Sequence, residues 1–89
     1  MNWKFEITDS AQRDIDRLDP FVAQRVEDKL DWFIDHFEQT VPIALSAEYA
    51  GSFKLRVGDW RIVYEVTYSE QTVYVLNVEH RSKAYKKRR

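Results

Sequence analysis

The stretch FKLRVGDWRIVY, at positions 53–64, decides the fold. Apolar residues alternate with charged ones on both sides of Gly58-Asp59, and this period of two is typical of strands joined by a tight turn. Glycine at the first position of a two-residue turn permits the backbone geometry of a hairpin. The sequence therefore predicts a β-hairpin with one apolar and one cationic face, on which Arg56 lies directly opposite Arg61.

The facing pair Arg56 and Arg61 needs a physical explanation. Like charges placed directly across two strands repel, so the pair does not stabilise the sheet. An external anion bound between the two guanidinium groups would remove the repulsion. Alternatively, Arg61 forms an ion pair with Glu79 on a following strand or with Asp59 near the turn.

The composition is that of one folded domain at 1–89. The chain is 44% hydrophobic and 33% charged, which is typical of a globular protein. No segment provides the ~20 apolar residues of a membrane helix, and the first ten residues lack the apolar segment of a signal peptide. The expected location is therefore the cytoplasm, with no membrane contact. Because the chain has no cysteine and only two histidines, we expect neither a metal site nor a cofactor.

Charge is divided unevenly along the chain. Positions 1–50 carry five basic and eleven acidic residues, a net charge of −6. Positions 51–89 carry nine basic and four acidic residues, a net charge of +5. A local positive field governs the encounter with a polyanion, so the total charge of −1 does not exclude a nucleic-acid partner.

The N-terminal half predicts one strand and two helices. Alternating apolar residues indicate a strand at about 2–8, and Asp9 or Ser10 can cap a short helix after it. A second helix from Pro20 to Phe37 is predicted because Asp19 is a good N-cap and proline is favoured at the first helical position. Each helix has an apolar stripe of the kind that packs on a sheet: Ala11, Ile15 and Leu18 in the first, and Val22, Val26, Leu30, Phe33 and Phe37 in the second.

The C-terminal half predicts a loop at 39–51 and a three-strand meander. After the hairpin, strands are expected at 62–68 and 73–78, and a slip of one residue between them would reverse every side chain. A two-residue turn at Ser69-Glu70 would pair Ile62 with Asn77. A three-residue loop at 69–71 keeps the core face apolar and is preferred. It pairs Ile62 with Val78, Tyr64 with Leu76, and Val66 with Tyr74.

These elements predict an α+β fold of order β-α-α-β-β-β. The sheet is expected to be antiparallel, with the two N-terminal helices packed on one face and a short turn or helix at the C-terminus. The face that the helices leave open gathers Lys54, Arg56, Arg61 and Arg81, with His80 and Tyr85 near the end of the sheet.

Side chains of these types suit a phosphate. Arginine offers a bidentate fork to phosphate oxygens, lysine a point charge, and histidine and tyrosine protons to give or take. Such a set can cleave RNA without a metal. A base takes the proton of the ribose 2′-OH, which attacks the phosphorus, while cations hold the developing charge and an acid protonates the leaving 5′-oxygen.

Other side chains extend the predicted RNA contact, and simpler roles compete with each assignment. Lys54 and Arg56 would bind the RNA as well as act in catalysis, Trp60 could stack on a base, and Lys83, Lys86 and Lys87 add positive charge. Alternatively, the strand charges serve solvation, His80 is a surface residue, and Trp60 and Tyr85 pack on neighbouring segments.

The two motifs RVGDWRIVY and HRSKAY together resemble the signature of the RelE/ParE superfamily, the small toxins of bacterial type II toxin–antitoxin pairs. The resemblance covers essentially the whole chain, including the A-x-x-D-I-x-x-L pattern from Ala11 to Leu18. RelE-like members are ribosome-dependent ribonucleases that cut mRNA by 2′-OH attack, whereas ParE-like members inhibit DNA gyrase. ParE-like chains tend to lack the terminal Arg-x-x-x-Tyr, which here is Arg81 to Tyr85, so the resemblance favours the ribonuclease.

The resemblance also implies roles and partners. Arg56, Arg61 and Arg81 would hold the phosphate, either Lys54 or His80 would be the base, and Tyr85 would be the acid. The implied partners are a cognate antitoxin, the ribosome and its mRNA, with operator DNA bound only through the toxin–antitoxin complex. A gyrase inhibitor and a catalytically inert antitoxin-binding module are the alternative functions.

Overall fold

Five strands and two helices form the structure, a computed structural model that describes residues 2–45 and 51–82. The elements in chain order are β1 (Lys4–Ile7), α1 (Asp9–Asp16), α2 (Pro20–Asp35), β2 (Ile43–Ala44), β3 (Phe53–Val57), β4 (Trp60–Thr67) and β5 (Thr72–His80). Short 3-10 turns lie at Phe37–Gln39 and Tyr68–Glu70. In this part of the chain, no helix is both long enough and apolar enough to cross a membrane.

The strands make one sheet in the order β1-β5-β4-β3-β2. The predicted α+β class is confirmed, with both helices on one face, but the sheet is mixed because β1 runs parallel to β5. The helices carry the chain from β1 to the opposite edge of the sheet, and the antiparallel meander β3-β4-β5 then returns towards it. Its last strand therefore ends beside β1 and points the same way.

The β3–β4 hairpin has the predicted register, with Val57 opposite Trp60 and Arg56 opposite Arg61. Gly58 has a φ of +59°, a left-handed conformation that glycine adopts without steric cost. The cationic face of the hairpin is therefore built as the sequence predicts.

The register between β4 and β5 is divided by a β-bulge at Val63/Tyr64. Before the bulge Ile62 pairs with Val78, as in the preferred register, but beyond it Tyr64 pairs with Val75 and Val66 with Val73. The predicted pairs Tyr64–Leu76 and Val66–Tyr74 are therefore wrong. A bulge places an extra residue in one strand. The register predicted for the three-residue loop therefore holds on the Ile62 side of the bulge, and the register predicted for the two-residue turn holds on the other side. The connection between β4 and β5 is four residues long, Tyr68–Gln71.

The helix termini differ slightly from the predictions. Thr8, rather than Asp9 or Ser10, caps α1, because its hydroxyl accepts a hydrogen bond from the backbone N–H of Ala11 and is held by donating to the carbonyl of Val75 (2.9 Å). Asp19 caps α2 as predicted, accepting from the N–H of Phe21 (2.8 Å). The helix ends at Asp35, two residues before the predicted end.

The predicted loop at 39–51 contains the short strand β2, which pairs with the first two residues of β3. A strand of two exposed residues has no alternation to reveal it. β2 covers only Phe53 and Lys54, and within the described ranges no strand pairs with the outer side of β3 beyond them.

The core lies between the helices and the sheet. α1 packs on β5, and α2 contacts β1 and β3. The predicted helical stripes are confirmed, because Ala11, Ile15, Val26, Leu30, Phe33 and Phe37 are buried and Leu18 and Val22 pack against them. The sheet contributes Val57, Ile62, Tyr64, Val73, Val75 and Val78 from its inner face. The opposite face of the sheet carries no helix in the described part of the chain.

Candidate functional site

The open face of the sheet carries the basic side chains of Lys54, Arg56 and Arg61, and Arg81 follows directly after β5 at the end of the sheet. We call these four residues the cationic strip. Arg56 on β3, Arg61 on β4 and Glu79 on β5 lie in one row across three strands. Directly opposite residues in such a row have Cβ atoms about 4.5–5.5 Å apart. Lys54 lies two residues before Arg56, hence on the same face.

Arg61 is held by Glu79. Its Nη2 atom donates to Oε2 of Glu79 at 2.6 Å, and the side chains of Arg61 and Glu79 are only 13% and 6% exposed. Of the two sequence-based alternatives, Glu79 and not Asp59 is the partner. The carboxylate offsets the repulsion between Arg56 and Arg61, and burial fixes the guanidinium in position.

Arg81 lies at the end of the strip, beside the hairpin turn. Its backbone N–H donates to the carbonyl of Asp59 at 3.0 Å, and its guanidinium is 3.7 Å from the Asp59 carboxylate. Both side chains are more than half exposed, so water screens this ion pair strongly. The backbone bond therefore holds Arg81 beside the hairpin turn, while its side chain can exchange partners.

His80 lies on the other side of the sheet from the strip. It pairs with Trp60, and the two rings meet edge to face at 5.1 Å on the side that faces the helices. The Nδ1 atom of His80 accepts a hydrogen bond from the backbone N–H of Ser82 (3.2 Å) and lies 2.9 Å from its hydroxyl. Trp60 packs against the core cluster. Neither side chain joins the cationic strip.

The remaining candidate residues, Tyr85, Lys83, Lys86 and Lys87, lie outside the described residues, so their predicted roles stay predictions. Arg81 and Ser82 follow β5 and are the last described residues of the chain. Within 2–45 and 51–82, no three histidine or acidic side chains come together in a way that could hold a metal ion.

Two tyrosines of the sheet have raised pKa values, and both lie away from the strip. Burial raises the pKa of Tyr64 to about 12, in the core. Tyr74 donates to the Glu70 carboxylate at 2.6 Å, and this hydrogen bond raises its pKa. Tyr74 is at the end of β5 remote from the hairpin turn. Neither hydroxyl is therefore a proton donor for chemistry at the strip.

Sequence reasoning missed two basic residues on α2. Arg25 and Lys29 lie beside β3 and the turn, and a Cβ built on Gly58 would be only 3.1 Å from Nη2 of Arg25. Their spacing of four residues indicates a shared helix face. Only the packing of α2 on the sheet reveals that this face adjoins Arg56.

Comparison with known proteins assigns the family. Residues 5–85 match the family described as the ParE toxin of type II toxin–antitoxin systems, parDE. The chain belongs to the RelE/ParE toxin superfamily. The resemblance identified from the two sequence motifs is thereby confirmed.

Relatives of this chain resemble it both in sequence and in structure. It is 29% identical to Toxin RelG of Mycobacterium tuberculosis over 87 residues, which cover 98% of this chain and 100% of the relative. The toxin–antitoxin complex RelBE2 from the same organism contains a chain with 28% identity and a TM-score of 0.80, covering 91% of this chain and 100% of that one. The isolated RelE toxin of E. coli shares the fold, with a TM-score of 0.71 and 17% identity over 96% and 97% of the two chains.

Proposed function

We propose that this toxin is a ribosome-dependent endoribonuclease that cleaves mRNA by metal-free attack of a ribose 2′-OH. The observation that carries the proposal is the row of Arg56 and Arg61 on the open face, with Arg61 fixed by the buried Glu79. A guanidinium that is already in place needs no reorganisation when charge develops on a phosphate oxygen, and such preorganised groups stabilise transition states most effectively.

The strip supplies the phosphate-binding part of this reaction. Arg61 would orient one phosphate oxygen, and exposed Arg56 opposite it would neutralise a second. Arg81 would complete the clamp by exchanging Asp59 for the phosphate, since that ion pair is long and screened. Tyr85 is the proposed acid that protonates the leaving 5′-oxygen.

Lys54 is better placed than His80 to act as the proposed base. It lies on the same face as Arg56, whereas His80 is directed to the opposite side of the sheet and is engaged by Trp60 and Ser82. A base must come within hydrogen-bond reach of the 2′-OH proton. Lys54→Ala is therefore expected to reduce cleavage much more than His80→Gln, and the reverse order would make His80 the base.

The test is cleavage by purified toxin in a translating system. We expect mRNA cut at the ribosomal A site, with 2′,3′-cyclic phosphate or 3′-phosphate ends on the upstream fragment. Arg56→Ala should lose this activity, and the matched change Arg13→Ala on the exposed surface of α1 should retain it. Intact mRNA at toxin concentrations that arrest growth would overturn the proposal.

A ParE-like inhibitor of DNA gyrase is the second candidate, because the matched family is described as ParE. This function predicts accumulation of gyrase-cleaved DNA and no RNA fragments. Running both assays on one preparation separates the two functions, and silence in both would leave an inert antitoxin-binding module.

We also propose a cognate antitoxin as partner, because the RelBE2 relative is a toxin–antitoxin complex. An acidic or amphipathic antitoxin segment over the strip would neutralise it, and operator DNA would be bound only through that complex. Toxin co-expressed with its cognate antitoxin should elute as one complex in size-exclusion chromatography. Separate elution would contradict this.

A further inference from the structure

A second basic surface lies on the helix side of the β3 edge, in a cleft of about 370 Å³ that we call the α2–β3 groove. Its walls are the side of α2 that carries Arg25, Lys29 and Trp32, and the segment of β3 from Arg56 to Gly58. Arg56 therefore belongs both to the strip and to the groove. The two surfaces meet at the β3 edge.

Acidic side chains of the described residues do not neutralise the basic groups of the groove. Within residues 2–45 and 51–82, no carboxylate lies within ion-pair distance of Arg25, Lys29 or Arg56. The one acidic side chain of the groove, Asp28, accepts a hydrogen bond from the Gln24 amide at 2.9 Å. Three positive charges against one negative charge leave a net attraction for an anion.

The position of Arg25 depends on a glycine. Its guanidinium lies against Gly58, where an added Cβ would be 3.1 Å from Nη2 and 3.4 Å from Nη1. The arginine thus reaches from α2 to the hairpin turn that carries the strip. An extended ligand that contacts Arg56 on the open face and continues around the edge of the sheet would contact Arg25 next.

The groove offers one exposed apolar side chain, Trp32, beside its three basic groups. Trp32 is 47% exposed, but its ring already contacts the Lys29 ammonium, 4.6 Å from the ring centroid, and the His36 ring, which stacks at 4.4 Å. Protein partners are usually anchored by apolar side chains that enter pockets, and base recognition needs a free aromatic face. A polyphosphate backbone needs neither, because repeated charge alone binds it.

We propose that the α2–β3 groove binds the phosphate backbone of RNA and extends the contact beyond the cleavage site. This inference rests on the proposed function for the identity of the polyanion. Arg25 and Lys29 would each neutralise about one phosphate, without sequence preference, and Arg56 would join this contact to the strip.

The test is binding of a fluorescent single-stranded RNA of about twelve nucleotides that carries 2′-O-methyl groups, which prevent cleavage. Because this probe cannot be cut, binding is measured independently of the proposed ribonuclease activity. The double variant Arg25→Gln with Lys29→Gln should weaken binding about tenfold at low salt. The slope of log K against log salt should fall by about 1.4 in magnitude, 0.7 for each lost phosphate contact on a single strand.

A matched control is available on α1. Arg13 and its C-cap neighbour Arg17 are exposed and, like Arg25 and Lys29, four residues apart. Arg13→Gln with Arg17→Gln therefore removes the same net charge from the other helix region. This pair should change the affinity less than twofold. Because Arg25 contacts the turn, Lys29→Glu alone serves as a second groove variant, with thermal unfolding to show that each protein is folded.

The outcomes are distinct. A loss confined to the groove variants supports the proposal, and repeating the measurement with vacant ribosomes separates the two sources of RNA. Weaker binding of the free strand assigns the groove to mRNA, and weaker ribosome binding alone assigns it to ribosomal RNA. Equal losses in the groove pair and the control pair would overturn the proposal for the groove, as would no loss in either pair with both the free strand and the ribosome. A groove variant that weakens only the antitoxin complex would also overturn it. Wild-type toxin that binds RNA without ever cutting it would overturn the cleavage proposal and leave the groove standing.

Discussion

The cationic strip and the α2–β3 groove meet at Arg56 but hold their charges differently. In the strip, Arg61 is nearly buried against Glu79, and Arg81 is bonded to Asp59 through its backbone. In the groove, Arg25 and Lys29 have no carboxylate partner in the described part of the chain. A buried pair fixes one group in a precise orientation, whereas exposed groups attract a polyanion at longer range. The contrast suits a site that orients one phosphate beside a surface that retains the rest of the strand.

The largest expected effect tests the buried part of this contrast. Glu79→Ala should lower the free energy of unfolding by about 3–5 kcal/mol, because it leaves the Arg61 charge buried without its carboxylate. Urea denaturation at neutral pH would measure this. Replacing both partners, Arg61→Met with Glu79→Leu, should restore most of the loss. A Glu79→Ala effect below about 1 kcal/mol would mean that water solvates Arg61 as easily as it does Arg25.

The next effect tests the residue shared by both surfaces. Arg56→Ala should reduce the single-turnover rate of mRNA cleavage about 100-fold, the usual result of removing one group that stabilises developing charge. Since Arg56 is exposed and faces a like charge, its loss should change stability by less than about 0.5 kcal/mol. Arg56→Lys, which keeps the charge without the fork, should recover part of the rate. A cleavage rate within twofold of wild type would show that Arg56 of the strip does not contribute to catalysis.

A smaller effect tests the boundary between the two surfaces. Gly58→Ala should destabilise the fold by about 1–2 kcal/mol, because a residue with a Cβ is strained at a φ of +59°. Asparagine tolerates that conformation better, so Gly58→Asn should have the higher melting temperature of the two variants. The opposite order would show that contact with Arg25, rather than the backbone, limits the residue at this position.

The smallest effect is expected at the exposed end of the strip. Arg81→Ala should change the free energy of unfolding by less than about 1 kcal/mol, because its ion pair with Asp59 is exposed and 3.7 Å long. The melting temperatures of wild type and variant should agree closely at low salt and at high salt. A destabilisation as large as that of Glu79→Ala would place Arg81 in a buried network.

Features that depend on local chemistry were predictable from the sequence. The hairpin follows from Gly58-Asp59 and the alternation around it, and the start of α2 follows from Asp19-Pro20. The row of Arg56 and Arg61 follows from that register without any tertiary information. The family motifs agree with this prediction, because they identify the same hairpin as the centre of the candidate site.

Features set by tertiary contacts were not predictable. The segment from Val73 to Val78 is apolar enough for either register, so nothing local reveals that a bulge lets both occur. Thr8 caps α1 because Val75 holds its hydroxyl, a contact between residues 67 positions apart. The approach of Arg25 to Gly58 depends on how α2 lies on the sheet, and α2 carries no sign of its partner strand.

The parallel pairing of β1 with β5 also fixes the order in which the protein can be completed during its own synthesis. β1 is translated first, yet its partner residues are Thr72–Val75, and the N–H of Val78 is bound by the Asp14 carboxylate of α1 at 2.9 Å. A nascent chain that ends before β5 therefore has neither the neighbour of β1 nor Glu79, the residue that fixes Arg61. Such non-local pairing folds late. The toxin chain thus acquires its strip only after most of it has been translated.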